Sequence, residues 1–289
     1  MLRALLKTMR PKQWAKNIFI FAPLVFDRKL TNVEAVLHTI AGAAIFSLIA
    51  SVVYIVNDIA DVEADRQHPT KRNRPIAAGK LPIAYAWVSA AIIILVCFPL
   101  AYWLSPLFTL IALIYFVLNL AYSKWLKHIV LLDIIVLASF YVIRVAAGVA
   151  LIQVERFSPW IYIFTTFLAL LIGTGKRRAE LSELADGANA HRRVLDGYTL
   201  TFLDQLITLA SGMTIITYSL YTFSAPNLPE NHAMMLTIPF IIYSVFRYQY
   251  LLQVKSIGGA PEEVVLSDRP LQAAIVLFGF AVLIIFYFF

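Results

Sequence analysis

HTIAGAAIFSLIASVVYIVNDIADVEADRQHPTKRNRPIAAGK, residues 38–80, changes character in its middle. From His38 to Val56 it is an uninterrupted apolar run, close to the roughly 20 residues that a helix needs to cross a bilayer. From Asn57 onward it gathers Asp58, Asp61, Asp65, Lys71, Arg72 and Arg74, in a chain where only 14% of residues are charged. A charge cluster at the end of a greasy segment marks the place where the chain meets water with something to hold.

The rest of the chain has the same apolar character. Of 289 residues, 61% are hydrophobic and the mean hydropathy is +0.78, a composition that belongs in a bilayer. Hydropathy places spans at Trp14–Phe26, Ala35–Val56, Ile83–Trp103, Pro106–Tyr122, Ile129–Ile152, Pro159–Thr174, Phe202–Phe223, Ala233–Phe246 and Leu271–Phe289, nine in all. Backbone groups at membrane depth must bond internally, and no barrel-like alternation is visible, so the expected fold is an all-α integral membrane bundle. The basic N-terminus is followed by no small-residue cleavage site and is not read as a removable signal. The single cysteine, Cys97, sits in an apolar run and excludes an intrachain disulfide.

A net charge of +7 raises the question of nucleic acid, but the positions of the charges answer it. With nine spans, 20 of the 24 Lys and Arg residues fall on one side, which the positive-inside rule makes cytoplasmic. Topology accounts for the basic balance, and no nucleic acid partner is expected. Two connections on that side are long and polar, about 58–82 and 175–201, and each follows a leading helix. They are the expected active-site loops of a single transmembrane domain covering 1–289.

Asp58, Asp61 and Asp65 stand at i, i+3 and i+7, so on a continuous helix they share one face. Three like charges repel unless a cation sits among them. Oxygen ligands suit Mg²⁺, with Mn²⁺ as the alternative, and Mg²⁺ characteristically bridges carboxylates to substrate phosphates. Lys71, Arg72 and Arg74 follow between Pro69 and Pro75, placed to fold back and bind phosphate oxygens. The competing view is a solvated helix end with salt-bridged charges. Asp133 and Arg144 lie eleven residues apart in one span, about 16 Å along a helix, so they cannot pair directly. Asp133 is expected to serve the site, and Arg144 to brace neighbouring helices. The five histidines show no metal-ligand spacing, and no Ser/His/Asp set or P-loop is present; His191, beside Arg192 and Arg193, is the one kept as a site candidate.

NDIADVEAD resembles the NDxxDxxxD signature of the UbiA superfamily of intramembrane prenyltransferases, and RNRPIAAG resembles the RPxxxG segment that follows it. RPKQWAKN (10–17), DRQHPTKRNRPIAAGK (65–80), YSKWLKHIVLLD (122–133), IRVAAG (143–148) and GKRRAEL (175–181) are similar to the decaprenyl-phosphate phosphoribosyltransferase branch. The resemblance implies a nine-helix bundle with a cytoplasmic-facing active-site cap in a bacterial cell membrane. It also implies transfer of 5-phosphoribosyl from 5-phosphoribosyl 1-diphosphate to a polyprenyl phosphate, with release of pyrophosphate, to supply cell-envelope arabinan.

On this basis Asp58, Asp61 and Asp65 are expected to hold Mg²⁺, with Asn57 orienting a ligand. Lys71, Arg72, Arg74, Lys127, Lys176 and Arg177 would meet phosphate, Tyr122 would donate to it, and Lys12 and Lys16 would contact a headgroup or the donor. Asp133, Glu180 and His191 complete the expected substrate-binding set. One departure from typical aromatic prenyltransferases stands out. Their later loop carries a second DxxxD-type motif, whereas GKRRAELSELADGANAHRRVLDGYTLTFLDQL is rich in base, which suits a donor with an extra phosphate. The runner-up is a prenyltransferase moving a polyprenyl group from its diphosphate to an aromatic or other small acceptor. A transporter is disfavoured, because no short interrupted helices mark a midplane site.

Overall fold

Asn32 starts the helix that carries the acidic stretch. Its side chain accepts the Ala35 N–H at 3.1 Å, and Glu34 follows in the first turn, where an anion complements the helix dipole. This helix, α3 (Val33–Ala60), runs for 28 residues, about 42 Å against a hydrocarbon layer of about 30 Å. Its last turns therefore project beyond the apolar layer, and Asp58 lies in them.

The computed structural model describes all residues except 153, 155–157, 186–192, 227, 256–260 and 289. Among the described residues every regular element is helical. Before α3 come α1 (Leu2–Met9), a 3₁₀ segment (Pro11–Phe21) and α2 (Ala22–Phe26). After it come α4 (Val62–Gln67), α5 (Ile83–Leu104), α6 (Pro106–Lys124), α7 (Leu132–Leu151) and α8 (Pro159–Ala185). The chain closes with α9 (Leu200–Ser224), α10 (Ile238–Gln253), α11 (Pro261–Ser267) and α12 (Arg269–Phe288).

Eight of the described helices are long and apolar enough to cross a membrane, so this is a multi-pass membrane protein. The expected first span, Trp14–Phe26, is not one of them: it is built from the 3₁₀ segment and α2. The loop expected from Gly175 also differs, since α8 continues through KRRAELSELA to Ala185. That run holds strong helix formers and neither Gly nor Pro, so nothing ends the helix where the hydropathy does.

The chain divides into two compact units, Met1–Leu24, Lys29–Lys124 and Ile143–Gln153 in one, and Val25–Arg28, Trp125–Val142 and Val154–Phe289 in the other. In the first, α3 packs against α1, the 3₁₀ segment, α5 and α6. Met9, Val52, Ile55, Ile76, Leu81 and Ala86 form a core beneath the acidic stretch. Arg144, deep in α7, donates to Asn17 Oδ1 at 2.8 Å and to the Tyr115 hydroxyl at 3.0 Å, bracing the 3₁₀ segment and α6 as expected. In the second unit α8 and α9 pack together, with α10 and α12 completing the layer. α5 and α6 present Leu95, Trp103, Leu110 and Val117 outward, a surface suited to lipid.

Candidate active site

The acidic helix does not continue through Asp61. α3 ends at Ala60, Asp61 takes φ −94° and ψ 9°, and α4 restarts at Val62. Asp61 is thus the joint between the two helices. Asp58 and Asp65 turn inward and are buried, at 2% and 3% exposure, whereas Asp61 is exposed and makes no ion pair among the described residues. The expectation of three carboxylates on one face is corrected to two: Asp58 and Asp65, about two turns apart, share Arg74, whereas Asp61 at the joint between α3 and α4 is exposed.

The inward pair is held by guanidinium groups. One terminal nitrogen of Arg74 stands 3.1 Å from Asp58 Oδ1 and 2.7 Å from Asp65 Oδ2. Arg10 reaches the same Asp58 oxygen at 2.5 Å, and its guanidinium lies 4.9 Å from the centre of the Tyr54 ring. Cations at the C-terminal end of α3 also complement its dipole. The loop that delivers Arg74 is fixed at several points. His68 Nδ1 accepts the Thr70 and Lys71 N–H groups at 3.2 and 3.3 Å, capping the 3₁₀ turn Lys71–Asn73. Ile76, 2% exposed, plugs into the core, and Gly79 takes φ +70° to turn the chain back. RPIAAG thus supplies a cation, a rigid bend, an anchor and a turn.

A second charged network lies in the other unit. Arg177 Nε donates to Asp133 Oδ2 at 2.5 Å, and both side chains are fully buried. The Tyr198 hydroxyl donates to Asp133 Oδ1 at 2.6 Å and accepts the Leu131 N–H at 2.7 Å. Burial and donation to the carboxylate hold the Tyr198 phenol well above its ordinary pKa. Arg177 also meets Glu180 at 2.6 Å. Arg178 turns to another side of α8 and donates to Asp204 at 2.6 Å and to the Leu252 carbonyl at 2.8 Å. The basic run of GKRRAEL therefore spends two of its cations on joining helices.

Lys12, Lys71 and Arg72 are exposed, and Asn57, Lys16, Tyr122, Lys127 and Lys176 are half-buried. Asn57 sits one turn before Asp61, its carbonyl accepting the Asp61 N–H at 2.9 Å. His191 lies outside the described residues. Sequence reasoning counted Arg10 only as a topological charge, and it missed Tyr198 and the Arg178–Asp204 pair. RPKQWAKN was the available signal for Arg10; a lone Tyr in DGYT offered none for Tyr198.

Among the described residues no three His, Cys, Asp or Glu side chains converge as a metal cage. What is present is one open carboxylate, Asp61, with the Asn57 amide a turn away and exposed bases following in the same loop. This oxygen donor set fits a cation of the Mg²⁺ type that completes its shell with water and phosphate.

Comparison with known proteins agrees with the architecture and with the motifs. The sequence profile of the UbiA prenyltransferase family matches residues 19–260. The decaprenyl-phosphate phosphoribosyltransferase of Mycobacterium tuberculosis is 36% identical over 270 residues, covering 92% of this chain and 88% of that protein. The Corynebacterium glutamicum enzyme of the same name is 32% identical over 288 residues, covering 98% and 86%. Among solved structures, a UbiA homologue from Archaeoglobus fulgidus bound to GPP and Mg²⁺ superposes with a TM-score of 0.74 at 18% identity, covering 98% of this chain and 99% of that one. Helix order, acidic stretch and near full-length similarity converge: the chain belongs to the UbiA prenyltransferase family, on the branch of the decaprenyl-phosphate phosphoribosyltransferases.

Proposed function

We propose that this protein transfers the 5-phosphoribosyl group from 5-phosphoribosyl 1-diphosphate to a polyprenyl phosphate such as decaprenyl phosphate, releasing pyrophosphate. The observation that carries this reading is the charge of the site: two buried carboxylates are already neutralised by arginine, while Asp61, Lys71 and Arg72 of the same acidic-to-basic stretch are all exposed. A net basic site with one open carboxylate suits a donor rich in phosphate. Near full-length similarity to enzymes of that name supports the choice of donor and acceptor.

Departure of pyrophosphate from the anomeric carbon builds positive charge on the sugar ring and negative charge on the leaving oxygens. Bound Mg²⁺ would supply Lewis-acid stabilisation of the leaving diphosphate. Asp61 and Asn57 would hold it, and Asp58 and Asp65 act through Arg74, fixing a guanidinium that faces phosphate. Lys71 and Arg72 meet the remaining oxygens. Tyr122 donates a hydrogen bond to phosphate. An oxygen of the polyprenyl phosphate attacks C1 as the C1–O bond to pyrophosphate breaks. That nucleophile is already anionic, so it needs placement and exclusion of water, not a strong base.

We place the loops and N-terminus on the cytoplasmic face, where most of the 24 Lys and Arg residues then lie. This orientation needs a ninth crossing by the 3₁₀ segment and α2. At the longer rise of a 3₁₀ helix those residues extend about 30 Å, one hydrocarbon thickness.

The test is label transfer in membranes containing the protein, Mg²⁺, ribose-labelled phosphoribosyl diphosphate and a polyprenyl phosphate. Label in the lipid fraction, lost with chelator, is expected. Product formed only from a prenyl diphosphate and an aromatic acid would replace this reading with the runner-up.

A further inference from the structure

Arg10 occupies an unusual position for a residue in a polybasic N-terminus. It joins α1 to the 3₁₀ segment in the left-handed conformation, φ +54° and ψ +62°, which a branched or long side chain rarely adopts. Backbone strain of this kind persists where the surroundings over-determine it. Here the surroundings are Asp58 on one terminal nitrogen and the Tyr54 ring beneath the guanidinium, two residues one turn apart on α3. The side chain is nevertheless 32% exposed.

A guanidinium carries five N–H donors in a fixed fork. Only one terminal nitrogen of Arg10 has a hydrogen-bonding partner among the described residues, so Nε and the other terminal nitrogen keep theirs. Arg74 is in the same condition: one nitrogen serves both carboxylates, and the side chain is 27% exposed. Each arginine is therefore anchored at one corner and open at the others. Such a fork, oriented before the ligand arrives, loses little freedom on binding a tetrahedral anion.

We propose that Arg10 is a phosphate-binding residue of the reaction, held for that task by Asp58 and Tyr54. Asp58 is on this account a positioning residue for Arg10 as well as for Arg74. The inference rests on the phosphoryl chemistry proposed above, and the anion is a substrate phosphate group, either the donor's diphosphate or the acceptor's phosphate monoester. Lysine cannot replace the fork: it keeps the charge opposite Asp58 but offers a point contact.

Calorimetric binding to the purified protein in detergent separates the possibilities. The probes are inorganic pyrophosphate with Mg²⁺, and farnesyl phosphate as a short-chain acceptor. Arg10→Lys and Arg10→Gln are compared with wild type and with Arg66→Gln, which removes an exposed charge whose partner among the described residues is Glu63. Both Arg10 variants are expected to weaken one probe by about tenfold or more, the worth of a charge-assisted hydrogen bond. The same substrate's KM should rise, with the thermal midpoint of Arg10→Lys held near wild type. Loss on pyrophosphate assigns Arg10 to the donor, and loss on farnesyl phosphate assigns it to the acceptor. Unchanged affinity for both probes, with a lowered midpoint, would overturn the proposal and leave Arg10 a structural brace. Weakened pyrophosphate binding without phosphoribosyl transfer would sink the functional reading alone.

Discussion

Arg177 and Asp133 meet at 2.5 Å with both side chains wholly withdrawn from solvent, and Tyr198 takes the second carboxylate oxygen at 2.6 Å. This triad joins α7, α8 and the turn leading into α9. Gly197 belongs to the same junction, because a Cβ there would stand 2.4 Å from Val130. Buried ions lose hydration, so such a pair fixes one arrangement of helices more than it adds net stability.

Removing one partner leaves the other charged and buried. Arg177→Met is expected to destabilise the protein by about 3–5 kcal/mol, whereas Asp133→Leu combined with Arg177→Met should recover most of that loss. Thermal melts of the purified variants in detergent check both. An undiminished midpoint for the single variant would mean that the pair is not buried as described.

Tyr198→Phe removes a donor to Asp133 and an acceptor for Leu131 N–H, and is expected to cost about 1–3 kcal/mol. The raised phenol pKa also gives a pH signature. Stability from the protonated phenol is complete below its unfolded value, about 10, and disappears as pH rises through the higher folded value. The midpoint gap between wild type and Tyr198→Phe should therefore be constant below pH ~10 and close above it. A gap that stays constant into the alkaline range would contradict the assignment.

Gly148 lets α7 touch the 3₁₀ segment, since a Cβ there would lie 2.1 Å from the Ile20 carbonyl oxygen. Gly148→Ala should destabilise by about 1–3 kcal/mol through overpacking. Gly212 in α9 has nothing within 4 Å of its would-be Cβ. Gly212→Ala should be neutral or stabilise by up to ~1 kcal/mol, so the two melting midpoints should move in opposite directions or only the first should fall.

The three aspartates should separate into two classes. Asp58→Asn and Asp65→Asn weaken the grip on Arg10 and Arg74, so both stability and turnover should fall. Asp61→Asn should lower turnover by about 10²-fold or more while leaving the melting midpoint unchanged. Paired melts and initial rates distinguish the classes, and a stability loss for Asp61→Asn comparable to that of Asp58→Asn would place Asp61 inside the brace.

Hydropathy carried the architecture a long way, because each long apolar run has one economical solution in lipid. The segment Trp14–Phe26 was the exception: it is built from a 3₁₀ segment and a short α-helix, which no residue spacing reveals, and is not among the eight described helices long and apolar enough to cross a membrane. The acidic stretch was legible as a site but not in its division of labour. Which carboxylates turn inward is set by Arg74 and Arg10 folding onto Asp58 and Asp65, a tertiary matter. GKRRAEL was misleading for a related reason. A Lys-Arg-Arg run reads as a phosphate patch, yet helical geometry sends Arg177 and Arg178 to different neighbours that sequence distance conceals.

The central claim, that the sugar and not the prenyl group is transferred, is tested most directly by phosphorus NMR of a single reaction. Purified protein, Mg²⁺, phosphoribosyl diphosphate and a short-chain polyprenyl phosphate should yield free pyrophosphate in step with a new phosphodiester and a retained 5-phosphate monoester. A donor that stays intact, with the resonances of both starting materials unchanged while the same preparation consumes a prenyl diphosphate, would contradict it.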